Sequence, residues 1–268
     1  MALNGKVVLL TGASMGIGEA IAGALAEQGA KLALVSRSED KLQSLLRRIN
    51  DQHPSCEASV YAADVGDYEA VDKRVVEVIK DKGSIDILIN NAGLALGAPS
   101  RFPELSISDI TTMNNTNVNG YMFVTHSVLN RSMMSRGEGI ILNITSTTAL
   151  EAPPFPGETV YHANKALQEG FTNALRNELN ETNIKVLALR PGVVATNFHS
   201  QRVSYDKSMY EGFMEGFHDV AEAAIFMLSQ PPNRSIKALD VVPTAQRSLN
   251  VFDRKWNERN GKSDVEMD

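Results

Sequence analysis

A tyrosine and a lysine four residues apart, Tyr161 and Lys165, are the side chains in this sequence best suited to chemistry. Residues with this spacing share one face of an α-helix. A phenol with an ordinary pKa of about 10 is a poor base at neutral pH, and a nearby ammonium favours its ionised form. The pair therefore predicts acid/base chemistry at the Tyr161 hydroxyl. Because the same spacing also occurs on ordinary amphipathic helices, the prediction depends on the motifs elsewhere in the chain.

Residues 11–18 form a glycine-rich segment, Thr-Gly-Ala-Ser-Met-Gly-Ile-Gly, between an apolar run and a helical pattern. Glycines at Gly12, Gly16 and Gly18 let the backbone approach a pyrophosphate that is bound at the N-terminus of the following helix. The alternative is a tight strand-to-helix connection without a ligand. Its position after the first strand of a β-α-β unit favours dinucleotide binding.

The end of the second predicted strand bears on the choice between NAD and NADP. An NAD enzyme places a carboxylate there to bind the ribose 2′-hydroxyl, whereas a 2′-phosphate requires a cation. Here Val35 is followed by Ser-Arg-Ser, with Arg37 at the strand end and Glu39 and Asp40 one step further on. A guanidinium pairs well with a phosphate, so the sequence favours NADP(H) over NAD. The alternative is that Arg37 is a solvated surface residue.

Seven apolar runs alternate with helical patterns and must position these residues. The predicted strands are residues 6–10, 31–35, 59–62, 85–89, 139–144, 184–189 and 238–242, with long helices at about 106–135 and 158–179. Because parallel neighbours need crossover connections, this alternation predicts an α/β fold with a doubly wound, mostly parallel seven-stranded sheet of the Rossmann type. We expect one domain over residues 1–252, with a lid at about 196–217, and a polar tail at 253–268.

Composition excludes several classes of protein. The chain has 268 residues, a net charge of −6 and one cysteine, Cys56. A single cysteine forms neither a disulfide framework nor a thiolate metal site, and the five histidines lack metal-ligand spacing. An acidic chain without a basic patch does not suit nucleic acid or an anionic membrane. We therefore expect a cytoplasmic protein with a small-molecule partner, no metal, and no membrane or nucleic-acid partner.

Together, these motifs and the segment Asn90-Asn91-Ala92-Gly93 resemble the short-chain dehydrogenase/reductase family, over residues 6 to about 242. The resemblance implies an NADP(H)-dependent oxidoreductase that interconverts a ketone and a secondary alcohol. It implies that the cofactor is bound along the chain by Thr11, Gly12, Ser14, Met15, Gly16, Ile17, Gly18, Arg37, Asp64, Val65, Asn90, Asn91, Ala92, Gly93, Tyr161, Lys165, Pro191, Gly192, Val193, Val194 and Thr196.

The resemblance also implies the catalytic roles. Tyr161 matches the general acid/base, Lys165 the residue that binds the nicotinamide ribose and lowers the tyrosine pKa, and Asn117 the asparagine that holds a proton-relay water. The hydroxyl that orients the substrate oxygen has two candidates. Ser146 ends a strand of the family pattern Asn-Ile-x-Ser, and Thr148 has the more usual distance to the tyrosine. We prefer Ser146, because the strand fixes where its side chain points.

The substrate is less constrained. Residues 196–202 and 242–246 look most similar to the branch acting on 3-hydroxy acids and hydroxy amino acids, and Arg202 in the lid could pair a substrate carboxylate. Apolar lid residues such as Met209 and Phe213 suit a bulky apolar ketone, and a sugar is a further alternative. A sensor or scaffold on the same fold, or a methyltransferase, is disfavoured because Tyr161 and Lys165 are both present. The family usually forms dimers or tetramers. We therefore expect a homo-oligomer, either a dimer or a homotetramer.

Overall fold

The computed structural model describes residues 3–98, 100–152, 156–194 and 217–260. Its strands are β1 (Val7–Thr11), β2 (Lys31–Ser36), β3 (Ala58–Ala62), β4 (Ile87–Asn90), β5 (Glu138–Ile144), β6 (Asn183–Pro191), β7 (Ala238–Val241), β8 (Gln246–Ser248) and β9 (Val251–Phe252). Its α-helices are α1 (Gly16–Glu27), α2 (Glu39–Gln52), α3 (Tyr68–Lys82), α4 (Ile107–Asn114), α5 (Gly120–Val128), α6 (Met134–Arg136), α7 (Thr159–Glu178), α8 (Phe217–Leu228) and α9 (Trp256–Arg259).

Strands β1 to β7 form one sheet in the order β3-β2-β1-β4-β5-β6-β7. Every neighbouring pair in this sheet is parallel. The chain moves outward in one direction from β1 to β3 and then in the other from β4 to β7, which is the doubly wound arrangement. The predicted fold class and all seven predicted strands of the sheet are thus confirmed.

The sheet is buried on both faces because helices cover each of them. On one face α1 and α8 pack together, with Ile21 and Ala224 in a cluster that includes Leu10 of β1. On the other face α3 and α5 pack together over β1 and β4, with Val75 and Val124 in the second cluster. This two-sided cover explains why β1 and β4 are almost continuous runs of Val, Leu and Ile.

The strand ends differ from the predicted ones by at most two residues, and two of these differences have a visible cause. β4 begins at Ile87 rather than residue 85, because the Asp86 carboxylate accepts a hydrogen bond from Val7 N (3.0 Å) at the point where the strand would start. β6 continues through Pro191, which lies opposite Val241 of β7. The prediction ended β6 at Leu189, before Arg190-Pro191-Gly192, but the register allows proline at the last position of the strand.

The predicted helix at about 106–135 runs from Ile107 to Arg136 and contains two π-helical segments, Asn115–Asn119 and Leu129–Met133. A π segment inserts one extra residue into a turn and is often found at functional sites. The first segment contains Asn117, so the candidate relay residue lies where the helix departs from regular geometry.

The chain after β7 forms the β8–β9 hairpin, a separate antiparallel pair, and then the short helix α9. The predicted tail at 253–268 therefore contains a helical turn in its described part. Within the four described ranges, no helix is both long enough and apolar enough to cross a membrane.

Candidate active site

A cavity of about 500 Å³ lies at the carboxyl ends of the parallel strands. Open α/β sheets bind their ligands at this edge. The predicted site residues that line it are Gly12, Ser14, Met15, Gly16, Ile17, Gly18, Arg37, Asp64, Val65, Asn91, Ala92, Gly93, Ser146, Tyr161, Lys165, Pro191, Gly192, Val193 and Val194. Thr196, Arg202 and the lid up to residue 216 lie outside the described residues.

The glycine-rich turn brings backbone, rather than side chains, to the wall of the cavity. Gly12 and Gly16 adopt left-handed conformations, with φ of 65° and 58°. A Cβ on Gly12 would lie 2.7 Å from the Ala92 Cα, and one on Gly18 would overlap the Gly12 carbonyl oxygen. The first N–H groups of α1, which begins at Gly16, have no partners within the helix and carry partial positive charge. This turn fits a pyrophosphate.

The Asn91 side chain fixes the same turn from the neighbouring strand. Its Nδ2 donates to the carbonyl oxygens of Thr11 (3.1 Å) and Gly12 (3.0 Å). The Thr11 Oγ1 accepts in return from the backbone N–H groups of Asn91 (3.0 Å) and Ala92 (3.1 Å). These bonds join the ends of β1 and β4 and fix the glycine-rich turn that lines the cavity.

Arg37 lies where β2 leaves the sheet, beside Ser36. The Ser36 and Ser14 hydroxyls are hydrogen-bonded to each other at 2.9 Å, so the end of β2 and the glycine turn form one wall. Arg37, Ser36 and Ser14 all line the cavity. The cation and the two hydroxyls make this wall suitable for a phosphate group.

Tyr161 and Lys165 project from the first turns of α7 into the cavity. The Lys165 Nζ is 5.7 Å from the centre of the Tyr161 ring and donates a hydrogen bond to the Ile144 carbonyl oxygen (3.1 Å). Lys165 is only 5% exposed. Burial lowers the pKa of Lys165 to about 7, and the Glu169 carboxylate one helical turn further on opposes this shift. The amine is therefore close to its titration point at neutral pH.

Tyr121 is a second tyrosine near Lys165, but its hydroxyl bonds backbone carbonyl groups instead of facing the cavity. It donates to the carbonyl oxygens of Ile144 (2.6 Å) and Asn90 (2.8 Å) at the ends of β5 and β4. Burial raises the pKa of Tyr121 well above its ordinary value. Tyr121 therefore keeps its proton and holds the Ile144 carbonyl that also accepts from Lys165.

Both candidate hydroxyl residues, Ser146 and Thr148, line the cavity just beyond β5. The Ser146 Oγ accepts from Thr148 N (3.2 Å) and lies 3.5 Å from the Pro191 carbonyl oxygen. Thr148 belongs to a short 3-10 turn, and its carbonyl oxygen contacts Nδ1 of His162. Ser146 is thus held directly at the strand end, as predicted from its position, while Thr148 lies in the turn that follows.

Asn117 is fully buried beside the cavity rather than on its wall. Its Nδ2 donates to Leu94 O (2.8 Å) and Asn164 Oδ1 (3.2 Å), and its Oδ1 accepts from Leu94 N (2.9 Å). The Asn117 carbonyl oxygen accepts from Gln168 Nε2 (2.7 Å). These bonds tie the π-helical segment to α7 and to the loop after β4.

The sequence did not single out several residues of the site. Glu158, immediately before α7, is 4% exposed and lines the cavity. Leu249, Asn250, Phe252 and Arg254, from the C-terminal hairpin and the turn after it, also line the cavity. Gln246 was noted only for its likeness to a branch of the family, yet its Oε1 accepts from Val193 N at 3.0 Å. Contacts between such distant segments leave no local signal in the sequence.

The fold and the site together define a class of protein, the nucleotide-binding α/β oxidoreductases, and sequence comparison makes the class specific. Residues 6–206 match the short chain dehydrogenase family, and the chain belongs to that family. It is an oxidoreductase that acts on hydroxyl and carbonyl groups. The resemblance inferred from the motifs is confirmed.

Three individual proteins illustrate the similarity, one curated relative and two solved structures. The chain is 34% identical over 261 residues to an NADP-dependent 3-hydroxy acid dehydrogenase of Schizosaccharomyces pombe, covering 94% of this chain and 98% of the relative. Among solved structures it is similar to the closed form of serine dehydrogenase complexed with NADP+, with 32% identity, a TM-score of 0.81, and coverage of 90% of this chain and 96% of that one. It is also similar to an alcohol dehydrogenase from the archaeon Thermococcus sibiricus complexed with 5-hydroxy-NADP, with 29% identity, a TM-score of 0.79, and coverage of 90% and 98%.

Proposed function

We propose that this protein is an NADP(H)-dependent dehydrogenase that interconverts a 3-hydroxy acid, or a hydroxy amino acid, and the corresponding ketone. The observation that carries the proposal is the cavity itself, which brings Tyr161, Lys165 and Ser146 together at one end and Arg37 and the glycine turn at the other. The 3-hydroxy acid dehydrogenase and serine dehydrogenase relatives support the choice of substrate.

The proposed roles follow from chemistry at the cavity wall. Ser146 donates a hydrogen bond to the substrate oxygen and orients it, and the Tyr161 hydroxyl exchanges a proton with that oxygen. The protonated Lys165, close to the phenol, stabilises the phenolate and so makes Tyr161 a better base. The resemblance gives Asn117 the role of holding a relay water near Lys165, although its side chain is bonded to Leu94 and Asn164 and does not line the cavity. When bound, the nicotinamide supplies or accepts the hydride, while the protein supplies position and electrostatics.

The cofactor would be held by backbone at its phosphates and by side chains at its two ends. The N–H groups at the start of α1 and the glycine turn would bind the pyrophosphate. Asp64 and Val65 would contact the adenine, Asn91 to Gly93 its ribose, and Lys165 the nicotinamide ribose. Residues 191–194 would hold the carboxamide. Arg37 beside Ser36 and Ser14 fits a 2′-phosphate, and the relative from Schizosaccharomyces pombe is NADP-dependent. We therefore infer NADP(H) rather than NAD.

A direct assay tests the proposed function. The purified protein with NADP+ and a panel of 3-hydroxy acids and hydroxy amino acids should produce reduced nicotinamide, measured by its absorbance. The reverse assay uses NADPH with 3-keto acids and, for comparison, bulky apolar ketones and sugars. Exclusive turnover of the apolar ketones, for which Leu249 and Phe252 on the cavity wall are suitable contacts, would overturn the substrate class. Cofactor binding without turnover of any substrate would instead indicate a sensor.

Reversing the charge of Arg37 should change the cofactor preference. In Arg37→Asp, we expect KM for NADPH to rise by roughly 10- to 100-fold, because a charge-assisted bond to the 2′-phosphate is replaced by repulsion. KM for NADH should fall or stay constant. Steady-state kinetics with both cofactors measures the effect. Arg47→Asp, the same change at an exposed residue of α2 that bonds Ser44, is the matched control. An unchanged NADPH/NADH ratio would contradict the role given to Arg37.

The choice between the two hydroxyls can be made by paired substitutions. Ser146→Ala should lower kcat/KM by roughly 10²-fold or more, as expected when a donor to the reacting oxygen is removed. Thr148→Val, which removes a hydroxyl two residues away, should have a much smaller effect. Kinetics on one substrate with both variants gives the comparison, and circular dichroism checks that the turn capped by Ser146 is retained. A larger loss in Thr148→Val would transfer the role to Thr148.

A further inference from the structure

Three cations line the described part of the cavity: Arg37, Lys165 and Arg254. Arg37 is at the end of β2, and Lys165 is buried beside Tyr161, where it donates to Ile144 O. The proposed function uses both of them. It leaves Arg254 without a role, although Arg254 faces the same space.

Arg254 belongs to the C-terminal segment, residues 246–254, which contains the β8–β9 hairpin. Two hydrogen bonds attach this segment to the loops that follow β5 and β6. The Gln246 Oε1 accepts from Val193 N (3.0 Å), just beyond β6. Leu249 N donates to the Glu151 carboxylate (2.9 Å), just beyond the turn that follows Ser146. The β8–β9 hairpin is thus bonded to the loops that follow β5 and β6, in the half of the sheet away from β2 and Arg37.

Asp253 shapes the turn that presents Arg254. Its backbone N–H donates to Ala245 O (2.8 Å), and its carboxylate forms ion pairs with Arg247 and Arg259. Asp253 is thus occupied by two other arginines, Arg247 and Arg259, rather than by Arg254. In the described part of the chain, Arg254 has no acidic partner, and its side chain is exposed. An exposed guanidinium that lines a cavity and has no acidic partner in the described part of the chain is suited to binding an anion from outside.

We propose that Arg254 binds the carboxylate of the substrate and thereby selects hydroxy and keto acids over neutral alcohols and ketones. This inference rests on the proposed function and deepens it, because it assigns recognition of the acid to a residue of the C-terminal segment rather than to the lid. The guanidinium forms paired hydrogen bonds with both carboxylate oxygens, a geometry that a lysine ammonium does not reproduce.

The test compares an acid with its own methyl ester. A short 3-hydroxy acid and its methyl ester are assayed with the native protein, Arg254→Gln and Arg254→Lys. Arg254→Gln should raise KM for the acid by about 10- to 100-fold and leave kinetics on the ester nearly unchanged. Arg254→Lys should give an intermediate KM for the acid. Lys255→Gln removes the same charge from the next residue, which does not line the cavity, and should behave like the native protein.

The possible results distinguish a failure of the role given to Arg254 from a failure of the proposed function. If the native protein oxidises the acid and Arg254→Gln does so with the same KM, or if acid and ester are affected equally, the role of Arg254 is overturned while the proposed function stands. If the native protein oxidises the ester but not the acid, the substrate class is wrong and the role of Arg254 falls with it. Turnover of neither compound overturns both proposals.

Discussion

Replacing Tyr161 by Phe should reduce kcat for the 3-hydroxy acid by roughly 10²- to 10⁴-fold, the range expected for loss of a general acid/base. The substitution removes one oxygen and leaves the ring on which the Lys165 ammonium lies at 5.7 Å. The effect should therefore fall on kcat, whereas cofactor affinity should change little. Initial rates from nicotinamide absorbance and titration of NADPH fluorescence measure the two quantities.

Tyr68→Phe is the matched control for this substitution. Tyr68 is exposed at the start of α3, where its ring packs edge-on against Phe123 at 5.6 Å, and it does not line the cavity. Loss of its hydroxyl should leave kcat unchanged. If Tyr161→Phe turned over the acid as fast as the native protein, proton transfer would have to come from another group and the proposed mechanism would be wrong.

The fold was largely predictable because its signals are local. Residues 31–35 and 139–144 are apolar runs that become interior strands of the sheet, where burial on both faces demands such runs. The ends of strands were less predictable where a side-chain oxygen, rather than a backbone carbonyl, accepts the hydrogen bond from the neighbouring strand. The Asp86 carboxylate shortens β4, and no periodicity records that contact with Val7.

The candidate site was predictable where spacing along one element fixes geometry. Tyr161 and Lys165 lie one turn apart on the same helix, α7, and the glycine-rich turn directly connects β1 and α1. The placement of both could therefore be predicted without knowing any distant contact. The cavity-lining residues of the C-terminal segment, such as Arg254, could not be predicted in this way. The hairpin before Arg254 is fastened at the cavity by contacts such as that of Gln246 with Val193, across 53 residues of chain. Side-chain contacts of that range depend on the packed structure.

The environment of Lys165 also depends on packing and has a measurable consequence. From sequence, its ammonium is simply a neighbour of the phenol. In the structure the amine is 5% exposed, and burial lowers its pKa from 10.5 to about 7. The unfolded chain keeps the ordinary value, so between these two pH values it binds a proton that the folded protein does not. By linkage, this residue makes the free energy of unfolding rise with pH across that window.

Lys165→Met isolates this contribution because it removes the titrating amine and keeps a long apolar side chain. Below about pH 7 the native protein bears the full cost of a buried ammonium, so the variant without cofactor should be more stable than the native protein at pH 6. Between pH 6 and pH 9 the native protein should gain about 2.5 kcal/mol relative to the variant. Urea denaturation of both proteins at the two pH values measures the difference, in which the other titrating groups cancel.

Lys41→Met supplies the control, since Lys41 is exposed on α2 and its replacement should give a stability difference that does not vary with pH. The same Lys165→Met protein should have lost most of its turnover, because the charge that favours the Tyr161 phenolate is gone. Stability and activity thus move in opposite directions at pH 6. A stability difference that stayed constant from pH 6 to pH 9 would mean that Lys165 titrates alike in the folded and unfolded chains, and the buried amine would then be charged throughout the neutral range.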